Sequence, residues 1–115
     1  MSNIIYKIED AAIWALAQSA GSYTGSALDV ADGFIHLSAV DQVRETADKW
    51  FAGREGLVLV HVDADALGDA LKWEASRDGA LFPHNYGPLP MSATMAAEAM
   101  HLDGDGKHIF GSHIT

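Results

Sequence analysis

Leu57-Val58-Leu59-Val60-His61-Val62 is a nearly continuous apolar run, and a run of that kind reads as a central strand buried on both faces. A chain of 115 residues is long enough for one core and not for two. Residues 1–115 are therefore expected to form a single domain around that strand. Ile4 to Ile8 reads as a short strand, and Glu9-Asp10 supplies acids at a helix start. Ile13, Leu16, Ala17 and Ala20 then recur at helical spacing, and Gly21 can end the helix. Ser22 to Asp32 reads as loop or a single helical turn, and Gly33 to Ser38 as a second strand.

Ser38 looks like an N-cap, with Asp41 approximating a capping box. Val40, Val43, Ala47, Trp50 and Phe51 form an apolar stripe, Arg44, Glu45, Asp48 and Lys49 face water, and Gly53 closes this helix. Leu71 to Ala75 alternates Leu71, Trp73 and Ala75 against Lys72 and Glu74, a strand with one polar face. Helix propensity claims Met91 to Met100, but Asp103-Gly104-Asp105-Gly106 is a strong turn signal. The preferred reading is a hairpin of Thr94–Leu102 with Lys107–Phe110. Helices early and strands late argue for an α+β fold.

Charge narrows the partners. Sixteen acidic residues against seven basic give a net charge of −9, too few cations to neutralise a nucleic acid backbone or an acidic membrane surface. A small anionic ligand is expected only where local donors oppose the overall field. With no cysteine, disulfides, thiolate metal sites and cysteine nucleophiles are excluded. There is no apolar run of membrane-spanning length and no secretory signal pattern, so the expected location is cytoplasmic. Oligomeric state is not legible.

The chemistry concentrates in two segments, Gly33-Phe34-Ile35-His36-Leu37-Ser38 and Phe82-Pro83-His84-Asn85-Tyr86-Gly87. Alternation puts Phe34, His36 and Ser38 on one strand face and Ile35 and Leu37 on the other. Imidazole and hydroxyl beside an aromatic ring make a poor dry core and a plausible cleft wall. His36 reads equally as a ligand-facing group or a satisfied histidine, and Ser38 foremost as a cap. The second segment is rich in Pro and Gly and reads as an ordered, pre-organised loop presenting His84 and Tyr86. Glu74 could act as a general base or stabilise a developing cation, although a solvated Lys72/Glu74 face is the plainer reading.

No metal is indicated. His61, Asp63 and Asp65 alternate and could face one way, while His101, His108 and His113 are dispersed without zinc spacing. Lys107 stands where a calcium loop needs its third oxygen ligand. The glycines form no phosphate-binding loop, and no serine sits in a nucleophile elbow.

Over nearly its whole length the chain resembles the bacterial and plant family of domain of unknown function 952. The likeness rests on Ile4-Ile5-Tyr6-Lys7, Tyr23, Asp32 to Ser38, Gln42, Leu57–Asp63, Trp73-Glu74 and Phe82 to Gly87. The resemblance implies an ADP-ribosyltransferase-like fold: two small packed antiparallel sheets, two main helices, and a nicotinamide-dinucleotide cleft between the sheets. It implies cleft positions near Tyr6-Lys7, at His36 or Ser38, and at Glu74, with His84 and Tyr86 beside them. Glu74 and His36 would be catalytic, and Lys7, Ser38, His84, Tyr86 and Tyr6 would bind ligand. NAD would be the substrate, with no other cofactor implied. A non-catalytic module for ADP-ribose or another nucleotide-like ligand is the alternative. Active members of that fold usually carry Arg or His at the first position, where this chain has Lys7, a point charge without a ring.

Overall fold

The apolar run is the middle strand of a three-stranded antiparallel sheet, β1 (Ile4–Asp10), β4 (Leu57–Asp63) and β8 (Thr94–Ala99), in the order β1-β4-β8. The structure, a computed structural model, describes residues 3–76 and 79–114. Between β1 and β4 come α1 (Ala11–Ala20), β2 (Ser22–Tyr23), α2 (Ala27–Asp32), β3 (Ile35–His36) and α3 (Val43–Trp50). After β4 follow a 3-10 segment (Ala64–Ala70), β5 (Leu71–Ala75), β6 (Leu81–Asn85), β7 (Leu89–Pro90) and a 3-10 turn (Met91–Ala93). The hairpin β9 (His101–Leu102) and β10 (His108–Ile109) comes after β8. A second three-stranded antiparallel sheet has the order β3-β6-β5, and β2 pairs with β7. The chain is α+β with small antiparallel sheets.

Two apolar clusters flank β1 and β4. Ile5, Val60 and Val62 join Trp14, Tyr23, Ile35 and Leu37, whereas Tyr6, Ile8, Leu57 and Leu59 join Val43, Ala47 and Ile114. This is why β4 needs apolar side chains in both phases of its alternation. Asp10 caps α1 by accepting the Ala12 and Ile13 N–H groups at 2.9 and 3.2 Å. Gly21 ends α1 at φ 89°, a left-handed conformation that suits glycine.

Several expectations are corrected. The buried face of α1 carries Trp14 and Ala17, while Ile13 and Leu16 are exposed. The Trp14 indole packs against the Tyr23 ring, 5.5 Å between centroids, and Ala17 is buried as expected. The 22–32 stretch holds a two-residue strand and a capped helix. Only Ile35 and His36 of the Gly33–Ser38 segment are strand. Ser38 caps nothing: α3 starts after Gln42, whose side-chain oxygen accepts the Ala39 N–H at 2.9 Å. Trp50 is exposed rather than part of the α3 stripe, and α3 ends at Trp50, ahead of Gly53.

The Pro-containing segment read as a loop is β6, the centre of its sheet. A central proline is tolerated because β3 stops beside it. Pro83 accepts the Leu37 N–H at 3.0 Å but has no N–H to return, so the ladder ends there. Trp73 and Ala75 of β5 are exposed, not buried. Residues 94–99 are strand despite their helix formers, but they pair with β4, leaving the 101–110 hairpin only two residues per arm. Sheet completion outweighs a propensity preference of a few tenths of a kcal/mol per residue, about the size expected for these residue types. No helix among the described residues is long and apolar enough to cross a membrane.

Candidate functional site

Among the described residues the two larger sheets meet at an isolated bridge. Tyr6 of β1 donates its N–H to the Ser38 carbonyl at 2.8 Å, and Ser38 donates back at 2.9 Å. Beside the bridge lies a cleft of about 630 Å³ lined by Lys7, Glu9, Asp29, His36, Ser38 and His84, among others. Ile13, Leu28 and Trp50, from α1, α2 and α3, also line it, and all three are largely exposed. The site therefore combines a polar floor with an apolar rim.

The floor is a closed ionic network. The Lys7 ammonium is buried and donates to Asp29 Oδ2 at 2.8 Å and to the His36 carbonyl at 3.0 Å. Asp29 Oδ1 accepts from His36 Nδ1 at 2.6 Å and from the His36 N–H at 3.2 Å. Asp29 Oδ2 also accepts the Ser26 N–H at 2.9 Å, while Ser26 Oγ accepts the Asp29 N–H at 3.2 Å, a capping box that starts α2. Burial alone would raise the Asp29 pKa, but the His36 hydrogen bond, the Lys7 charge and the Ser26 N–H hold it far below the usual carboxylate range. His36 Nε2 lies 3.0 Å from Asp32 Oδ2, so both imidazole nitrogens face carboxylates. Nearby, the Tyr23 hydroxyl donates to buried Glu9 Oε2, and burial followed by that bond pushes the phenol pKa strongly up.

His84 is arranged differently. Its Nδ1 lies 2.8 Å from Glu74 Oε1, and the Tyr86 hydroxyl donates to the same oxygen at 2.7 Å. The Tyr86 bond first and the His84 bond second lower the Glu74 pKa, and the same Glu74 contact raises that of Tyr86. A carboxylate only accepts, so Nδ1 donates, and in a neutral imidazole Nε2 is then the acceptor. Among the described residues Nε2 has no hydrogen-bond partner, while the ring lines the cleft. Phe34 stacks on the His84 ring with centroids 4.2 Å apart and also lies against His36 and Tyr86.

The anticipated residues thus fall into groups. Lys7, His36, Ser38 and His84 share the cleft. Tyr6 lines it as well, while its ring belongs to the second apolar cluster and lies against His61. Glu74 and Tyr86 are not among the lining residues and reach the cleft through His84. Lys7, expected to offer its charge to a ligand, is neutralised by Asp29. The Ser38 hydroxyl is tied to Thr46 Oγ1 at 2.9 Å, and Thr46 donates to the Gln42 carbonyl. Sequence reasoning missed Asp29, Asp32 and Glu9. The capping pattern Ser26 to Asp29 was a usable signal for the first, but its ion pair with Lys7 depends on tertiary contact.

The histidines weighed as metal ligands also sort out. Asp63 accepts the Asp65 N–H at 3.1 Å, and His108 Nε2 donates to the Phe51 carbonyl at 2.7 Å. Asp103 Oδ1 accepts the N–H groups of Asp105 and Lys107 and so builds its own turn, with the Lys107 bond foremost in lowering its pKa. His61 lies instead with Glu98 and His113.

The chain belongs to the family described as "Protein of unknown function (DUF952)", which it matches over residues 8–97. It is similar to the crystal structure of protein CC0527 from Caulobacter crescentus, with 52% identity and a TM-score of 0.92, covering 96% of this chain and 97% of that one. The solution NMR structure of CC0527 gives 54% identity and a TM-score of 0.82, covering 90% of each chain. No curated protein matches this chain.

Proposed function

We propose that the cleft binds a nucleotide-like small molecule, with NAD as substrate, and that His84 held by Glu74 is the base of an ADP-ribosyl transfer. The observation that carries this reading is His84 itself. One imidazole nitrogen is oriented by a carboxylate, while the other accepts no hydrogen bond among the described residues and belongs to a ring that lines the cleft. A carboxylate-oriented imidazole of this kind is suited to general-base work. The rim of Ile13, Leu28 and Trp50 suits a flat, apolar end such as a base, and the polar floor suits ribose hydroxyls.

In the proposed step the nicotinamide–ribose bond breaks and its electron pair leaves on neutral nicotinamide. An acceptor hydroxyl forms the new bond to the ribose carbon and gives its proton to His84 Nε2. Positive charge developing on the ribose would meet Asp32, the more exposed of the cleft carboxylates, whereas Glu74 acts through His84. The second reading, a binding module for ADP-ribose or a related ligand, draws on the neutralised Lys7 and on the set-back position of Glu74.

Titration of NAD and of ADP-ribose into isotope-labelled protein, followed by amide shifts, tests both. Saturable shifts around 34–38 and 82–87 with nicotinamide release are expected. Shifts without release favour the binding module. No shifts at millimolar ligand exclude both readings.

A further inference from the structure

On the other face of the β1-β4-β8 sheet, three side chains from distant parts of the chain converge. His61 Nε2 of β4 lies 2.7 Å from Glu98 Oε2 of β8, and His113 Nε2, from the C-terminal segment, lies 3.5 Å from the same oxygen. One ligand atom from each residue falls within a 4.8 Å span. The two imidazole rings are stacked with centroids 5.2 Å apart, and both Nε2 atoms lie against the same Glu98 oxygen. We propose that His61, Glu98 and His113 form a binding site for a divalent transition metal of the zinc class, which clamps the C-terminal segment to the sheet.

The donor set fits that chemistry. Two imidazoles and a carboxylate are the ligands that zinc and its neighbours take, and tetrahedral coordination sets donor atoms about 3.3 Å apart. The 3.5 Å separation is close to that figure, while the 2.7 Å one is a hydrogen bond that a metal would open. Glu98 and His113 are about two-fifths exposed, which leaves a route in and room for a water at a fourth position.

The surrounding structure sets the three ligands in place. The β4–β8 register shifts between His61 and Val62, where Met95 is the extra residue. Bulges of this kind re-aim nearby side chains. Glu98 sits opposite Leu59, diagonal to His61 on the same face, within reach across the sheet. His61 is further braced by the Tyr6 ring, edge-on at 5.1 Å. On the third side Ile114 is buried in the second apolar cluster, and Arg44 donates to its carbonyl at 3.3 Å. The same Arg44 lies over the Phe110 ring, so the segment is anchored on both sides of His113. Gly111 leaves the space the imidazole occupies: a Cβ there would meet His113 Cε1 at 2.7 Å. A metal bound here would link β4, β8 and the segment around His113, which otherwise share hydrogen bonds and apolar contact.

The test uses the tag-free full chain with Co²⁺ and Zn²⁺ as probes. Co²⁺ should give the visible absorption of a four-coordinate nitrogen–oxygen site at one equivalent, and Zn²⁺ should displace it. Zn²⁺ should also raise the thermal midpoint, because a ligand that binds only the folded chain stabilises it. His113→Ala and His61→Asn should each weaken Co²⁺ binding at least roughly tenfold and abolish the midpoint shift, with circular dichroism unchanged. His101→Ala should leave binding intact. Weak, non-stoichiometric Co²⁺ binding, or binding that survives both His113→Ala and His61→Asn, overturns the proposal. In that event the three residues are a hydrogen-bonded latch only.

Discussion

His36 and His84 are cross-strand partners on β3 and β6, with rings 5.6 Å apart, yet they are held in opposite ways. His36 has carboxylates at both nitrogens, Asp29 on Nδ1 and Asp32 on Nε2. It ties β1, α2 and β3 together through the Asp29–Lys7 pair. His84 has one carboxylate, and its other nitrogen has no partner among the described residues while the ring lines the cleft. The difference teaches that the imidazole alone does not mark a site. A histidine with both nitrogens engaged is fixed in place, whereas one engaged on a single side keeps a nitrogen for a further partner.

That contrast can be broken most sharply at Asp29. Asp29→Ala leaves the Lys7 ammonium buried without its counterion, and removing one partner of a buried pair costs about 3–5 kcal/mol. Urea unfolding should show a loss of that size, and a loss below about 1 kcal/mol would dissolve the structural half of the comparison. The chemical half predicts the reverse for His84→Phe. The ring should still stack on Phe34 and the fold persist, while NAD turnover falls on the order of 100-fold or more. Equal loss of turnover and of stability in His84→Phe would put the two histidines in one class.

The pH dependence sharpens the same point. The folded-state pKa of Asp29 is depressed below its unfolded value of roughly 4, so its contribution is fully present above that pH. It should be lost as pH falls below about 4 toward the depressed value. Thermal unfolding from pH 7 down to pH 3 should show the fall in the wild type and a shallower one in Asp29→Asn. Glu74→Gln should reduce turnover less than His84→Phe, since a glutamine still accepts from Nδ1. It should move the thermal midpoint far less than Asp29→Ala. The smallest effect belongs to Trp50→Ser at the exposed rim. Stability should change by no more than about 0.5 kcal/mol, and a dissociation constant for ADP-ribose that rises identifies the indole as part of the ligand surface.

Residues 57–62 announced a strand buried on both sides because their apolar character ignores the period of two, and no tertiary information is needed to see that. Asp10 and Gly21 marked the ends of α1 through local chemistry, an accepting carboxylate and a left-handed backbone. Local signals failed where a distant partner decided. Pro83 and its neighbours read as loop because a central strand normally excludes proline, and only the early end of β3 removes the conflict. Residues 94–99 were expected as strand in a hairpin with 107–110, and they are strand, but the open edge of β4 claimed them as its partner.

The site divides along the same line. His36 and Ser38 stood out by alternating with Phe34 on one strand face, His84 and Tyr86 by their Pro- and Gly-rich segment, and Glu74 through the family resemblance. Which of them keeps a nitrogen free could not be read, since the roles depend on Asp29, Asp32 and Glu74 arriving from other elements. His61, Glu98 and His113 were separately visible and jointly invisible. Periodicity, caps and turns are written in short-range backbone and burial preferences, so the sequence by itself determined the doubly buried strand β4 and the two ends of α1. Ion pairs, tautomers and converging ligands require atoms within a few ångströms across long stretches of chain, and only the tertiary structure decided those.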